Sequence, residues 1–366
     1  MMRLSSGAMN AAVAAAVLSC FSFSASAQPL EDPTLVNQRT QEALEAARAA
    51  SPHTAESSSA YYVDDAEAAA ARAIERVWDP MRERPDPPRM PWGDPDLSGY
   101  WLNVSYTPRQ RPVELADKPL YSVEEAIVAF QNAVARDASY DPATVHYDWR
   151  EFGMDNWQSP IRPTRRTSLI VDPPNGRYPP MTPEGRERTE AGRRSLTLES
   201  RGLYERCIVG NQGPPRLPIG QNTGQSQLIQ TRDHVVLITQ ANSEVRVFPL
   251  DDKPNAPGDV RTWLGVSRGH WEGDTLVVET TNFHEQRHPP EMRLVERFSR
   301  VAEDTLLYEA TVTDLATWEA PWSVEVPWPK MDPPGLFEFA CHEQNYGIIN
   351  VLRGVRARQE ENIADD

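Results

Sequence analysis

The chain has 366 residues, 53 acidic against 37 basic, with 33 prolines and three cysteines. An acid excess of this size excludes general binding to a phosphate backbone, which needs a basic face, and disfavours docking on anionic membrane surfaces. The length suits one large domain or two ordinary ones. Proline at about 9%, against a usual ~5%, excludes a fold dominated by long helices.

Residues 1–27 read as a signal peptide. Arg3 is the only base, residues 8–18 form a short apolar run, and Ala25-Ser26-Ala27 fits small-x-small cleavage before Gln28. Losing Arg3 with this segment leaves a net charge of about −17. The apolar run is too short to span a membrane, and no later stretch approaches 18 apolar residues, so no membrane span is expected. A periplasmic or secreted destination follows. Val17-Leu18-Ser19 before Cys20 is a lipobox-like match and leaves lipoprotein processing as an alternative.

With Cys20 removed, Cys207 and Cys341 remain. Two thiols in an oxidising compartment suggest one disulfide, closing a loop whose chain-entropy contribution is roughly 5 kcal/mol. Two separate free thiols are the alternative.

Residues 28–90 read as an extension and linker. The stretches 40–50 and 64–78 are Ala/Glu/Arg-rich and helical in propensity, and prolines gather at Pro80, Pro85, Pro87, Pro88 and Pro91. A β-rich domain is expected over 91–357, with an acidic tail at 358–366. Within the domain, residues 122–136 predict a helix opened by a Ser122/Glu125 capping box. Residues 182–194 predict a second, with Thr182 as N-cap and Pro183 at its first position. The runs 166–171, 234–240, 244–248, 275–281, 304–314 and 322–326 are β-rich, several with clear period-two alternation. No repeated βα unit appears. The expected fold is therefore mainly β, an antiparallel barrel or strongly curved sheet, lipocalin-like in plan, with a few peripheral helices.

The blocks PWGDPDLSGYW (91–101), RTSLIVDPPNGRYPPMTPEGR (166–186), WLGVSRGHWEGDTLVVETTNF (263–283), LVERFSR (294–300), FACHEQNYG (339–347) and LRGVRA (352–357) carry a resemblance. The chain resembles a widespread family of exported bacterial proteins with WEGDTLVVETTNF and ACHEQNYG-type motifs. The likeness spans roughly residues 90–357. It implies a single β-rich domain and pairing of Cys207 with Cys341, and it implies no particular reaction.

Several places could carry chemistry. His284-Glu285-Gln286-Arg287-His288 matches H-E-x-x-H, which holds zinc when a helix turns both imidazoles one way. A β-run ends at Thr281 and Pro289-Pro290 follow, so an exposed loop is the favoured reading and zinc hydrolysis through His284 and His288 the alternative. His342 and Glu343, beside Cys341, could act as acid and base if a cavity desolvates them. His270 reads as a surface turn residue. Arg206, Arg216 and Arg246 are candidate carboxylate anchors; Arg246 lies opposite Val245 and Val247 on its strand, and the pattern does not say which face is inside. Trp271 is one of several Trp that could line an apolar pocket or pack the core.

No P-loop, G-x-G-x-x-G, G-x-S-x-G or C-x-x-C appears, so no cofactor and no nucleic-acid partner is expected. In general plan the expected barrel resembles phenolic acid decarboxylases, in which a β-barrel holds an aromatic acid between Tyr, Arg and Glu. That likeness implies a cofactor-independent lyase or isomerase acting on a small aromatic or carboxylated ligand. Arg246 would hold the carboxylate beside Trp271, and His342, Glu343 and Tyr346 would do the chemistry. A non-catalytic small-molecule-binding or envelope-associated protein is the alternative from a different class.

Overall fold

A computed structural model describes residues 77–115, 117–138, 161–194, 201–210, 213–218, 224–251, 253, 256–331, 335–343 and 345–364. The chain divides into two units, Met1–Ala60 and Tyr61–Asp366, and every described residue belongs to the second. The signal peptide, Cys20 and the helical stretches before residue 77 lie outside the described residues.

The described chain is mainly β, in two antiparallel sheets. One has four strands in the order β1 (Gly99–Leu102), β3 (Gln225–Gln230), β4 (His234–Thr239), β5 (Val245–Pro249). The other has six, in the order β2 (Ile170–Asp172), β10 (Trp322–Pro329), β9 (Thr305–Thr313), β8 (Arg293–Ala302), β7 (Thr275–Thr281), β6 (Val266–Glu272). From β3 to β10, sequence neighbours are spatial neighbours, as short hairpin connections dictate. Between β6 and β7 the register sets Glu272 opposite Thr275 across a two-residue turn, and its first residue, Gly273, takes the positive φ such turns require.

The barrel is not closed. At one seam the Trp101–Lys330 bridge ties β1 to the end of β10. At the other, β5 runs alongside β6 with no ladder pairing, and the two sheets part there. Their inner faces share one core, with Leu228, Leu237 and Phe248 from the smaller sheet against Leu276, Leu294, Phe298, Tyr308, Val326 and Trp328 from the larger.

Helix α1 (Val123–Ala138) opens on the expected capping box: the Glu125 N–H donates to Ser122 Oγ at 3.2 Å, and the Ser122 N–H to Glu125 Oε2 at 2.8 Å. It sets Phe130 into a satellite cluster with Leu102, Val104, Ile161 and Met331. Helix α2 (Pro183–Arg194) is capped by Thr182, whose Oγ1 accepts from the Gly185 N–H at 2.9 Å.

Two expected boundaries move. Trp78, the last residue of the stretch 64–78 expected to be helical within the extension, is buried against Val301 and Leu307, and its backbone bonds to Pro163 and Arg165. The segment 77–90 is thus packed on the domain, because an indole provides burial that proline spacing does not reveal. At the other end α3 (Tyr346–Ala364) runs through position 358, where the acidic tail was expected to start. Among the described residues no helix is long and apolar enough to cross a membrane.

Candidate functional site

Strand β5 alternates charged and β-branched residues, and the structure turns the charged ones inward. Val245 and Val247 are exposed at 52% and 48%, while Glu244 and Arg246 are buried. An interior arginine needs a compensating charge and filled donors. Arg246 finds both in Glu296 of β8: Nη1 donates to Oε1 at 2.9 Å and Nη2 to Oε2 at 2.5 Å. Nη2 also donates to Thr280 Oγ1 at 3.0 Å and Ser267 Oγ at 3.2 Å. Burial works against the charge on Arg246, but Glu296 outweighs it and the guanidinium pKa is raised. Tyr308 donates its hydroxyl to Glu296 Oε1 at 2.9 Å and accepts from the Arg216 N–H at 2.8 Å; burial and the neighbouring carboxylate push the phenol up. Arg216, 1% exposed, donates Nη2 to Ser226 Oγ at 3.0 Å, and burial lowers it to about 10.

The open seam exposes part of this polar interior. A cleft of about 410 Å³ lies there, lined by Ile208, Val209, Val245, Val247, Trp263 and Leu264 as apolar wall, and by Asn242, Glu244, Arg246, Thr262 and Ser267 as polar groups. Glu244 accepts from the Gly210 N–H at 2.6 Å. Burial raises its pKa, opposed by that hydrogen bond and by Arg216, Arg287 and Arg246. A carboxyl tuned upward in a cleft is a candidate proton donor and acceptor. Gly210 suits this close approach: a Cβ would come within 3.1 Å of the Ala241 Cβ and 3.4 Å of the Glu244 carboxyl carbon.

The loop carrying Ile208 to Gly210 is tethered by the disulfide between Cys207 and Cys341. The Asn345 Nδ2 donates to the Glu205 carbonyl at 2.9 Å beside it. A second hollow of about 280 Å³ lies against the disulfide, lined in part by Asn242, Phe339, His342 and Glu343. His342 and Glu343 are exposed, and Tyr346 is 64% exposed at the start of α3. Of the trio proposed for catalysis, His342 and Glu343 line this surface hollow and Tyr346 does not; none of the three lines the cleft with Arg246. Trp271 packs on the apolar core and does not line the cleft. The fork of Arg246, expected to hold a ligand's carboxylate, is filled by Glu296 of the chain itself.

The HEQRH segment forms one turn, with the His288 and Arg287 N–H groups bonding the His284 carbonyl at 3.2 and 2.8 Å. Its rings serve different neighbours. His284 lies 4.0 Å from Trp263 between ring centroids, and His288 meets Phe283 edge-on at 5.0 Å. Burial, reinforced by Arg287, lowers His288 to about 4, leaving it neutral. Among the described residues no group of three or more His, Cys, Asp or Glu could hold a metal ion, so the zinc alternative finds no third ligand there. Arg287 also reaches inward, pressed against Gly213 and near Glu244 and Arg246. His270 is exposed and pairs with Glu272 at 3.2 Å.

Sequence reasoning missed Asn242, Glu244, Arg287, Glu296 and Tyr308 as a group. The one usable signal was a pair of charged residues alternating with valines on β5.

No family model matches the chain, and no curated protein matches it. Among solved structures, a point mutant of the fluorescent protein UnaG is similar at 15% identity, over 35% of this chain and 85% of its own, with a TM-score of 0.21. A TM-score that low carries neither fold nor function across.

Proposed function

We propose that this is an exported, lipocalin-like protein of the WEGDTLVVETTNF-type family, whose site is the cleft between β5 and β6. There it acts on a small, aromatic-bodied molecule as a cofactor-independent isomerase or lyase. The observation that carries this reading is Glu244, a buried carboxyl with a raised pKa in a cleft that Trp263, Leu264, Val245 and Val247 also line. The apolar wall takes the ligand's body, and Glu244 passes a proton to it and recovers one. The Arg246–Glu296–Tyr308 network holds the floor rigid instead of binding the ligand by charge. The disulfide supports an oxidising compartment for the protein.

The test is turnover of a panel of aromatic acids and amides in deuterated water. Deuterium should enter the product, and Glu244→Gln should lower kcat at least 100-fold with KM little changed, because the amide still accepts from Gly210. Turnover indifferent to Glu244→Gln would remove Glu244 from the chemistry.

An envelope-associated role is favoured by a different observation. The outer face of β3 to β5 carries Ile229, Val236 and Val247 in one cross-strand row, with Ile238 and Val245 paired beside it, and Ile229, Val245 and Val247 are exposed.

A further inference from the structure

Asn242 lies where the two hollows meet and lines both. Its backbone is left-handed, at φ 54° and ψ 20°, and Ser243 follows at φ 49°. Asparagine tolerates this region better than most residues, yet two such residues in succession are a strained arrangement that persists only where the surroundings impose it. Both Oδ1 and Nδ2 of Asn242 are shielded from solvent, and neither meets a hydrogen-bond partner. Buried amides are nearly always satisfied, so a residue held in an uncommon conformation with both ends unpaired marks a position where something else makes those bonds. The Nε of Arg246, on the same cleft, is a second buried donor with no partner.

We infer that Asn242 is the specificity-determining residue of the cleft and that it reads a ligand group with an N–H and a C=O side by side: a carboxamide, lactam or imide. This rests on the cleft being the ligand site, as proposed above. The amide Nδ2 donates to the ligand carbonyl and Oδ1 accepts from the ligand N–H, the reciprocal pairing two amides make with one another. A carboxylate offers acceptors only; it leaves Oδ1 facing a negative oxygen and finds the Arg246 fork already filled by Glu296. Sites that pair a ligand's polar groups reject analogues lacking one of them far more strongly than apolar pockets reject a change of size.

The experiment is calorimetric titration of the full-length, disulfide-bonded protein with 2-naphthamide and 2-naphthoate at pH 7.5. Two variants accompany it: Asn242→Gly, which keeps the left-handed backbone and removes the amide, and Asn242→Asp, which keeps the shape and removes the donor. The wild type should bind the amide at least 10-fold more tightly than the carboxylate. Asn242→Gly should erase that preference with its circular dichroism unchanged, and Asn242→Asp should weaken the amide at least 10-fold. Equal binding of both probes, unaltered in Asn242→Gly, would overturn the inference while leaving the cleft as a ligand site. Binding of neither probe by the wild type would overturn the cleft reading and the inference together.

Discussion

Arg246 and Glu296 meet across the seam between the two sheets, Arg246 on the last strand of one and Glu296 inside the other, joined by two parallel hydrogen bonds of 2.9 and 2.5 Å. Both side chains are almost wholly enclosed. A hydrophobic pair would leave the seam free to slide, whereas a bidentate ion pair fixes β5 against β8 in one register. Around it, Ser267, Thr280 and Tyr308 add hydrogen bonds to the pair and leave the Arg246 Nε without one, so most of the polar end of the interior behaves as one unit.

Breaking one side of this pair leaves a buried charge uncompensated. Glu296→Gln is expected to destabilise the protein by about 3–5 kcal/mol. The double variant Arg246→Met/Glu296→Leu should recover much of that loss, since neither charge is then buried. Urea unfolding of the three proteins measures this, and a double variant worse than Glu296→Gln would refute it.

Half of the strand pattern was legible and half was not. In β7 and β9 the alternation sets Leu276 with Val278, and Leu306 with Tyr308 and Ala310, each on one face, and those are the residues that enter the core. Period-two alternation states which residues share a face, and the inside is then assigned by hydrophobicity. In β5 that assignment inverts, because Glu296 and three arginines make the interior polar there and the seam leaves the valines at the surface. The site was illegible for the same reason: Asn242 and Glu244 are close in sequence, but Arg287 and Glu296 join them only where the two sheets face one another, and no local motif signals it. In the HEQRH segment the eye goes to the histidines as a metal pair, whereas His288 is enclosed as a neutral ring and the arginine beside it reaches towards Glu244 and Arg246.

His288 makes stability depend on pH in a defined window. Its pKa is lowered from 6.5 to about 4 in the folded protein. Above pH 6.5 it is neutral in both states. As the pH falls from 6.5 towards 4, the unfolded chain takes up a proton that the folded state refuses, and stability declines by up to about 3 kcal/mol. His288→Asn should flatten this part of the profile, as read from unfolding at pH 7 and pH 4.5.

Glu244 acts with the opposite sign. Its raised pKa means the folded state keeps a proton that the unfolded chain has released, so stability is lost as the pH rises above the ordinary carboxylate range. Glu244→Gln should therefore melt higher than the wild type at pH 8 and close to it at pH 4. A variant that melts lower at pH 8 would contradict the placement of this carboxyl in the interior.

The disulfide sets the loop that supplies the Gly210 N–H to Glu244. Replacing Cys207 and Cys341 with serine opens a loop spanning 134 residues, with an expected loss of up to about 5 kcal/mol. Binding in the cleft should weaken with it, because Ile208 and Val209 lose their tether. Urea midpoints and probe titrations of the double serine variant, each against the oxidised wild type, test the two effects separately.

The most direct test of the central claim is a nitrogen–proton correlation spectrum of the labelled protein titrated with 2-naphthamide. The account predicts saturable shifts concentrated in residues 208–210, 242–247 and 262–267, the lining of the β5–β6 cleft. Shifts confined to 338–346 around the disulfide hollow, or none at all, would contradict it.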